Sequence, residues 1–234
     1  MPDPPADGIG WDVLVIYAQR LNAQGEPARA LAWLEADEQA EQLHPAAPFT
    51  LRRVRQSLAE AYEQLGRMDD AHRLFQLAHD EYVAKEKPEQ LTRMFVDERW
   101  ARHMLLRGET AEAGRLFEAV IAQDAGRHAA SVALAQVGLA RVALAAGRPA
   151  EAVAASAQAM QRWAEVRGIR DVRTGAYIGR VQAAALLASG DAAGARAAAA
   201  KALADSQRYD VPAAVSIAEA RALLAQAETA LHRH

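Results

Sequence analysis

The side chains that could bind a metal or act in catalysis are few in this chain, and their spacing matches no known motif. His72 and His79 lie seven residues apart, with Asp69, Asp70 and Asp80 close by in the sequence. Imidazole and carboxylate groups are common metal ligands, but helical ligands of one metal normally lie one turn apart, whereas seven residues make two turns. We therefore interpret these five residues as the solvated face of a helix.

Other catalytic motifs are absent as well. The chain contains no cysteine, which excludes disulfides, thiol catalysis and thiolate metal sites. It has no GxSxG sequence, and Gly190 and Gly194 belong to a repeat pattern rather than to a phosphate-binding loop. We therefore predict that the protein is not an enzyme and uses no cofactor and no metal. A hidden enzyme would require several polar groups with displaced pKa values to converge in one pocket.

Charge and hydropathy narrow the class of partner. A net charge of −3 and a pI near 6.2 argue against a nucleic-acid surface, which needs clustered positive charge. The sequence has no run of 18 apolar residues, so no helix is expected to span a membrane. Its first ten residues, MPDPPADGIG, lack the basic start and apolar core of a secretory signal. We predict a cytoplasmic protein that binds neither nucleic acid nor membrane.

Repeated helical hairpins are the elements that must position any binding residues. Between Leu58 and Ala78, apolar residues recur at helical spacing on both sides of Gly66. Glycine adopts a left-handed backbone conformation without steric cost, so Gly66 can end one helix and let the chain reverse into the next. The pattern occurs five times, with turn glycines spaced by 41, 42, 39 and 43 residues: Gly25, Gly66, Gly108, Gly147 and Gly190. An alanine stands seven residues before and five residues after every one of them.

This alanine–glycine–alanine frame, which runs from about Trp11 to about Tyr209, resembles the tetratricopeptide repeat (TPR) family. Its period of about 40 residues exceeds the ~34 residues of the usual TPR, so each helix is expected to be about a turn longer. Long repeats of this type resemble those of kinesin light chains and those attached to bacterial transcriptional activators and serine/threonine kinases. The resemblance implies an all-α fold, an α-α superhelix of five helical hairpins plus a C-terminal capping helix.

The predicted domain organisation has two parts. Residues 1–10, which are rich in proline and aspartate, are expected to be a disordered leader or the junction with a longer protein. Residues 11–234 are expected to form a single TPR-like solenoid domain. Its five repeats are placed at about 11–44, 48–85, 88–124, 127–167 and 170–208, and its capping helix is placed at 211–231.

The TPR resemblance implies that residues 13, 10, 6 and 3 positions before each turn glycine face a groove lined by the first helices. In the C-terminal half of the chain these positions combine arginines with aromatic and apolar residues, and arginine and aromatic side chains often anchor interfaces. The candidate partner-binding residues are Phe95, Glu98, Arg102, Leu134, Val137, Arg141, Tyr177 and Arg180. Because guanidinium groups hold carboxylates by paired hydrogen bonds, the expected partner is a protein or peptide, with an acidic segment favoured.

Some of these residues also have a purely structural interpretation. Phe95 and Tyr177 can pack on the neighbouring repeat, and exposed arginines often serve only solubility. Leu105, Leu144 and Leu187, each three residues before its turn glycine, are expected on the core side of their helices.

Two functions remain open from the sequence. The first is a non-catalytic scaffold or adaptor that binds a peptide or protein segment in the groove. The second is the sensor domain of a bacterial transcriptional regulator or Ser/Thr kinase, which would respond to a peptide or a small signal. The excess of alanine and arginine indicates a GC-rich bacterial source. Oligomerisation is also open, because the alanine-rich fifth repeat could dock on another chain.

Overall fold

The fold is built from helices alone in the part of the chain that the computed structural model describes, residues 9–43, 48–124, 126–166, 172–210 and 214–233. These residues form eleven α-helices and no β-strand, which confirms the predicted all-α class with five hairpins and a further helix. The helices are α1 (Ile9–Ala23), α2 (Pro27–Leu43), α3 (Pro48–Gln64), α4 (Met68–Lys85), α5 (Leu91–Leu106), α6 (Thr110–Gln123), α7 (Ala129–Ala145), α8 (Pro149–Glu165), α9 (Val172–Ala188), α10 (Ala192–Tyr209) and α11 (Val215–Leu231). Most of the predicted leader, residues 1–8, and the start predicted for the capping helix at 211 lie outside the described residues.

Each hairpin turns at one of the predicted glycines. All five have a positive φ, between 68° and 89°, which L-amino acids with a side chain rarely adopt. At Gly66, the backbone N–H of Arg67 donates to the carbonyl of Tyr62 at 2.9 Å and closes the helix end. The same bond, also at 2.9 Å, recurs after each of the other four turn glycines. A Cβ at Gly66 would meet nothing within 4 Å, so glycine is needed there for its backbone conformation and not for space.

Small residues occupy the places where paired helices meet. The alanines that flank the turn glycines at fixed distances are at most 1% exposed. They are Ala18, Ala30, Ala59, Ala71, Ala101, Ala113, Ala140, Ala152, Ala183 and Ala195. A single methyl group at each position lets the two helix backbones approach closely, and the fixed spacing repeats this contact in every hairpin.

The helices belong to two compact units. The first unit, Met1–Lys85, contains α1 to α4; successive helices pack on each other, and α1 also packs on α3. The second unit, Glu86–His234, contains α5 to α11, and its odd-numbered helices α5, α7, α9 and α11 contact one another in order. Contact between the first helices of consecutive hairpins is the packing order of a TPR-like solenoid, in which each repeat touches its neighbours. That residues 11–234 form one domain stays a prediction.

In the core of the second unit, a large aromatic ring packs against a glycine, which has no side chain. Phe117 of α6 is fully buried and lies in a cluster with Met94, Met104 and Val120. Its ring lies directly against Gly138 of α7, where an added Cβ would collide with three ring carbons. Since cores are packed to the density of a crystal, this pair of residues sets the distance between α6 and α7.

The last helix, α11, packs on α9 and α10 through small and branched residues. Ala214, immediately before the helix, is buried, as are Ile217, Ala220 and Ala227, whereas Ala218 is exposed. The helix therefore covers the fifth hairpin, as a capping helix should, and it also presents a row of polar and small side chains to solvent.

Candidate partner-binding face

Three of the candidate residues come together on the first helices of the second unit. Arg141 of α7 donates from Nη1 to the hydroxyl oxygen of Tyr177 on α9, at 3.2 Å. One helical turn after Tyr177, the guanidinium carbon of Arg180 lies 5.7 Å from the centroid of the Tyr177 ring, within the range of cation–π attraction. We call Arg141, Tyr177 and Arg180 the arginine–tyrosine row; it crosses two consecutive first helices.

The row is continued by a residue of α11 that the sequence did not single out. Arg180 Nε donates to Oε2 of Glu219 at 3.0 Å, which links α9 to α11. The Arg180 side chain is 12% exposed, but that of Glu219 is 56% exposed. The carboxylate thus reaches from solvent onto a largely buried arginine. Glu219 follows Arg180 by 39 residues, within the spacing of the turn glycines, and that spacing is the signal that could have found it.

The other candidate residues divide into two groups. Val137 is fully buried in a cluster that includes Ala133 and Ile178, and Glu98 is 6% exposed. Both side chains are enclosed by neighbouring helices, since α7 packs on α5 and α9, and α5 packs on α6 and α7. That either residue contacts a partner stays a prediction. The half-buried candidates, which reach the surface in part, are Phe95, Arg102 and Leu134.

Two of the three leucines expected in the core are half-buried against it. Leu105 packs on the cluster around Phe117, and Leu144 packs on a cluster formed by α7, α8 and α9. The third, Leu187, instead lines a surface pocket of about 560 Å³ between α9 and α11. The pocket is also lined by Ala225, Gln226, Thr229 and Ala230 of α11 and by Arg233, which follows the helix.

This pocket lies on the same helix stripes as the Arg180–Glu219 pair. Leu187 follows Arg180 by seven residues on α9, and Gln226 follows Glu219 by seven residues on α11. Seven residues are two helical turns, so the pocket begins about 10 Å beyond the ion pair. The second unit therefore presents an arginine with an aromatic ring beside it and, two turns further on, a mainly apolar pocket (the Leu187 pocket).

A second surface pocket of about 550 Å³ lies between α6, α7 and α8, and each of its two arginines is already paired with a carboxylate. Arg148 Nη1 contacts Glu151 Oε2 at 2.6 Å, and Arg115 pairs with the neighbouring Glu112. Among the described residues, no group of three histidine, aspartate or glutamate side chains could hold a metal ion.

The described titratable groups with a displaced pKa belong to the first unit, whereas both pockets belong to the second. Burial, together with the hydrogen bond that Tyr62 donates to Glu35 at 2.8 Å, raises the pKa of the Tyr62 hydroxyl to about 12. The hydrogen bond to Glu26 raises the pKa of Arg29, and the hydrogen bond to Asp70 raises that of Arg67. A raised pKa keeps the tyrosine hydroxyl protonated and the guanidinium groups charged, as they already are at neutral pH. None of these groups can therefore act as a general base or a nucleophile.

Comparison with protein families identifies the repeat. A family model described as tetratricopeptide repeat matches residues 11–36 and 133–158. The first match spans the hairpin of α1 and α2, and the second runs from α7 into α8. A search of curated protein sequences gave no match.

Several solved structures share the fold. The repeats of a kinesin light chain-like protein from Podosopora anserina superpose with a TM-score of 0.59 and 21% identity, over 88% of this chain and 100% of that one. A thermophilic TPR protein of Thermus thermophilus gives a TM-score of 0.62 and 17% identity, over 95% of this chain and 99% of that one. BtubC from P. vanneervenii gives a TM-score of 0.62 and 18% identity, over 88% of this chain and 85% of that one. At these identities the likeness establishes the fold.

Proposed function

Because the chain belongs to the tetratricopeptide repeat family, whose members are in general protein-interaction scaffolds without catalysis, we propose that it is an adaptor that binds a protein segment on the first-helix face of residues 86–234. The arginine–tyrosine row carries the proposal. It joins α7 and α9 by the bond from Arg141 to Tyr177, and it brings a second guanidinium, that of Arg180, to the same ring.

The chemistry of the row favours an acidic partner. Tyrosine and arginine are the residues that most often dominate binding energy when they lie at the centre of an interface. Tyr177 is already fixed by Arg141 and by the core cluster beneath it, so little side-chain freedom is lost when a partner covers it. The arginines supply charge-assisted hydrogen bonds, which are stronger than neutral ones. A carboxylate-bearing segment therefore fits the row better than a neutral or basic one.

Several other features were expected from the sequence. No described helix has the length and apolar character needed to span a bilayer. The cytoplasmic location, the bacterial source and the absence of enzyme activity stay predictions of this account. The alternative function, a sensor domain of a regulator or kinase, has no observation in its favour.

The proposal predicts that the two arginines of the row are needed for partner capture. The bait is the parent chain beside Arg141→Gln/Arg180→Gln, both immobilised and exposed to lysate of the source cells. Loss of a guanidinium at the centre of an interface commonly costs more than 1 kcal/mol, so the double variant should retain its prey about tenfold less well or worse. Mass spectrometry of the retained proteins measures the difference.

A matched control separates this effect from a change in net charge. Arg162→Gln/Arg196→Gln removes two exposed arginines from the second helices α8 and α10, so its charge change is the same. This control should capture the same prey as the parent, and circular dichroism should show that all three proteins are fully folded at the temperature of the capture. Equal loss of prey from both double variants, or equal retention by both, would place the binding surface elsewhere.

A further inference from the structure

The Arg180–Glu219 pair has the geometry of a contact that a partner must replace. Its arginine is largely buried and fixed beside the Tyr177 ring, whereas its carboxylate is more than half exposed and belongs to a different helix. An ion pair with one exposed partner is weak, because water competes for the carboxylate and the long side chain loses freedom when it is held. Glu219 can therefore leave Arg180 at low cost when another carboxylate arrives.

The Leu187 pocket gives the second half of a binding motif. It starts about 10 Å from Arg180 along α9, and Ala225 and Ala230 are among the α11 residues that line it. In an extended segment of the polyproline II type, three residues complete one turn and span about 9 Å, so side chains three positions apart lie on the same side. Such a segment, with its carboxylate at Arg180, would place the side chain three residues away at the pocket.

We infer that the face between α9 and α11 binds an extended segment in which an acidic residue and an apolar residue are three positions apart, and that Glu219 is the internal competitor of that acidic residue. The inference rests on the proposed function, and it names the partner's chemistry. In the absence of a partner, the carboxylate of Glu219 neutralises Arg180. In the complex, the partner's carboxylate accepts the hydrogen bond from Arg180 Nε, and the apolar side chain fills the Leu187 pocket.

The test uses acetylated, amidated and fluorescently labelled peptides, so that no terminal carboxylate takes part. The acidic probes are GSETTLSG and its reverse-order form GSLTTESG, which allow for either chain direction. The two comparison peptides are the glutamine twin GSQTTLSG and the wrong-spacing peptide GSELTTSG. Fluorescence anisotropy measures the binding of each peptide to the full chain and to its variants.

The expected result is that one acidic probe binds the parent chain and binds Glu219→Gln about three- to five-fold tighter, the gain that corresponds to removing a partly exposed ion pair. Glu228→Gln is the matched control, because it removes the same charge from an exposed position of the same helix; it should bind like the parent. Arg180→Gln should lose the preference for the acidic probe over its glutamine twin. Ala225→Trp, which fills the pocket, should abolish the advantage of the correct spacing.

Each contrary outcome has its own meaning. Equal affinities for Glu219→Gln and Glu228→Gln would show that Glu219 does not compete, and would overturn the inference while the binding face stands. If peptide affinity does not depend on the spacing, or if Ala225→Trp leaves that dependence unchanged, the pocket is not part of the motif. Either result would also overturn the inference. If no peptide binds any variant while lysate capture still depends on Arg141 and Arg180, the inference fails and the proposed function survives. Failure of both experiments would overturn the proposed function itself.

Discussion

Replacing Phe117 with alanine is expected to lower the free energy of unfolding of the second unit by about 3–5 kcal/mol. The Phe117 side chain is fully buried, and it is the largest of the fully buried side chains of the described residues. Its removal takes the ring out of the cluster with Met94 and Met104 and leaves a cavity against Gly138, which has no side chain to fill it. The expected loss of stability has two parts. The variant no longer gains free energy by burying the ring away from water, and its folded state contains an unfilled cavity.

Urea unfolding followed by circular dichroism measures this change. The control is Leu106→Ala, which truncates a side chain of α5 that is 48% exposed and should shift stability by about 0.5 kcal/mol or less. Similar losses from the two substitutions would mean that Phe117 is not the centre of this core.

Replacing Gly138 with alanine is expected to destabilise the second unit by about 1–3 kcal/mol, although alanine favours a helix more than glycine does. The added methyl group would collide with the Phe117 ring, and the ring cannot move because it is enclosed by other core residues. The steric cost therefore exceeds the gain of about 1 kcal/mol in helix propensity.

Gly114→Ala provides the matched control for Gly138→Ala. Gly114 also lies inside a helix, α6, but the nearest atom to an added Cβ is Cγ1 of Val142 at 3.6 Å, an ordinary contact. Gly114→Ala should therefore leave stability unchanged or raise it by up to about 1 kcal/mol. In the Phe117→Ala background the penalty of Gly138→Ala should disappear, because the ring it collides with is gone. A penalty that persists in that background would contradict the packing described here.

The local part of the fold could be predicted from the sequence because it depends on short-range rules. Gly66 and its four equivalents must have positive φ wherever a helix reverses in this way, and the alanines at fixed distances identify the paired helices. The hairpins follow from these two features. The contact of Phe117 with Gly138 was not predicted, because a glycine inside a helix does not reveal which side chain of another helix lies against it.

The candidate site could be predicted only in part. Counting back from the turn glycines found Arg141, Tyr177 and Arg180, which the structure brings together. The same count included Val137, which is buried because α7 has neighbours on both sides. It missed Glu219, which would have been reached only by applying the repeat spacing forward from Arg180. The Leu187 pocket depends on the relative placement of α9 and α11, which no sequence pattern specifies.

The central claim, that the first-helix face of residues 86–234 holds the partner, is tested most directly by site-specific photo-crosslinking. One variant carries a photoreactive phenylalanine at Leu134, two helical turns before Arg141 on the same stripe of α7. The other carries it at Ala154, an exposed position on the second helix α8 of the same hairpin. After irradiation in source-cell lysate, the account predicts a crosslinked partner from position 134 that disappears in the Arg141→Gln/Arg180→Gln background, and none from position 154. A partner crosslinked only from position 154 would contradict it.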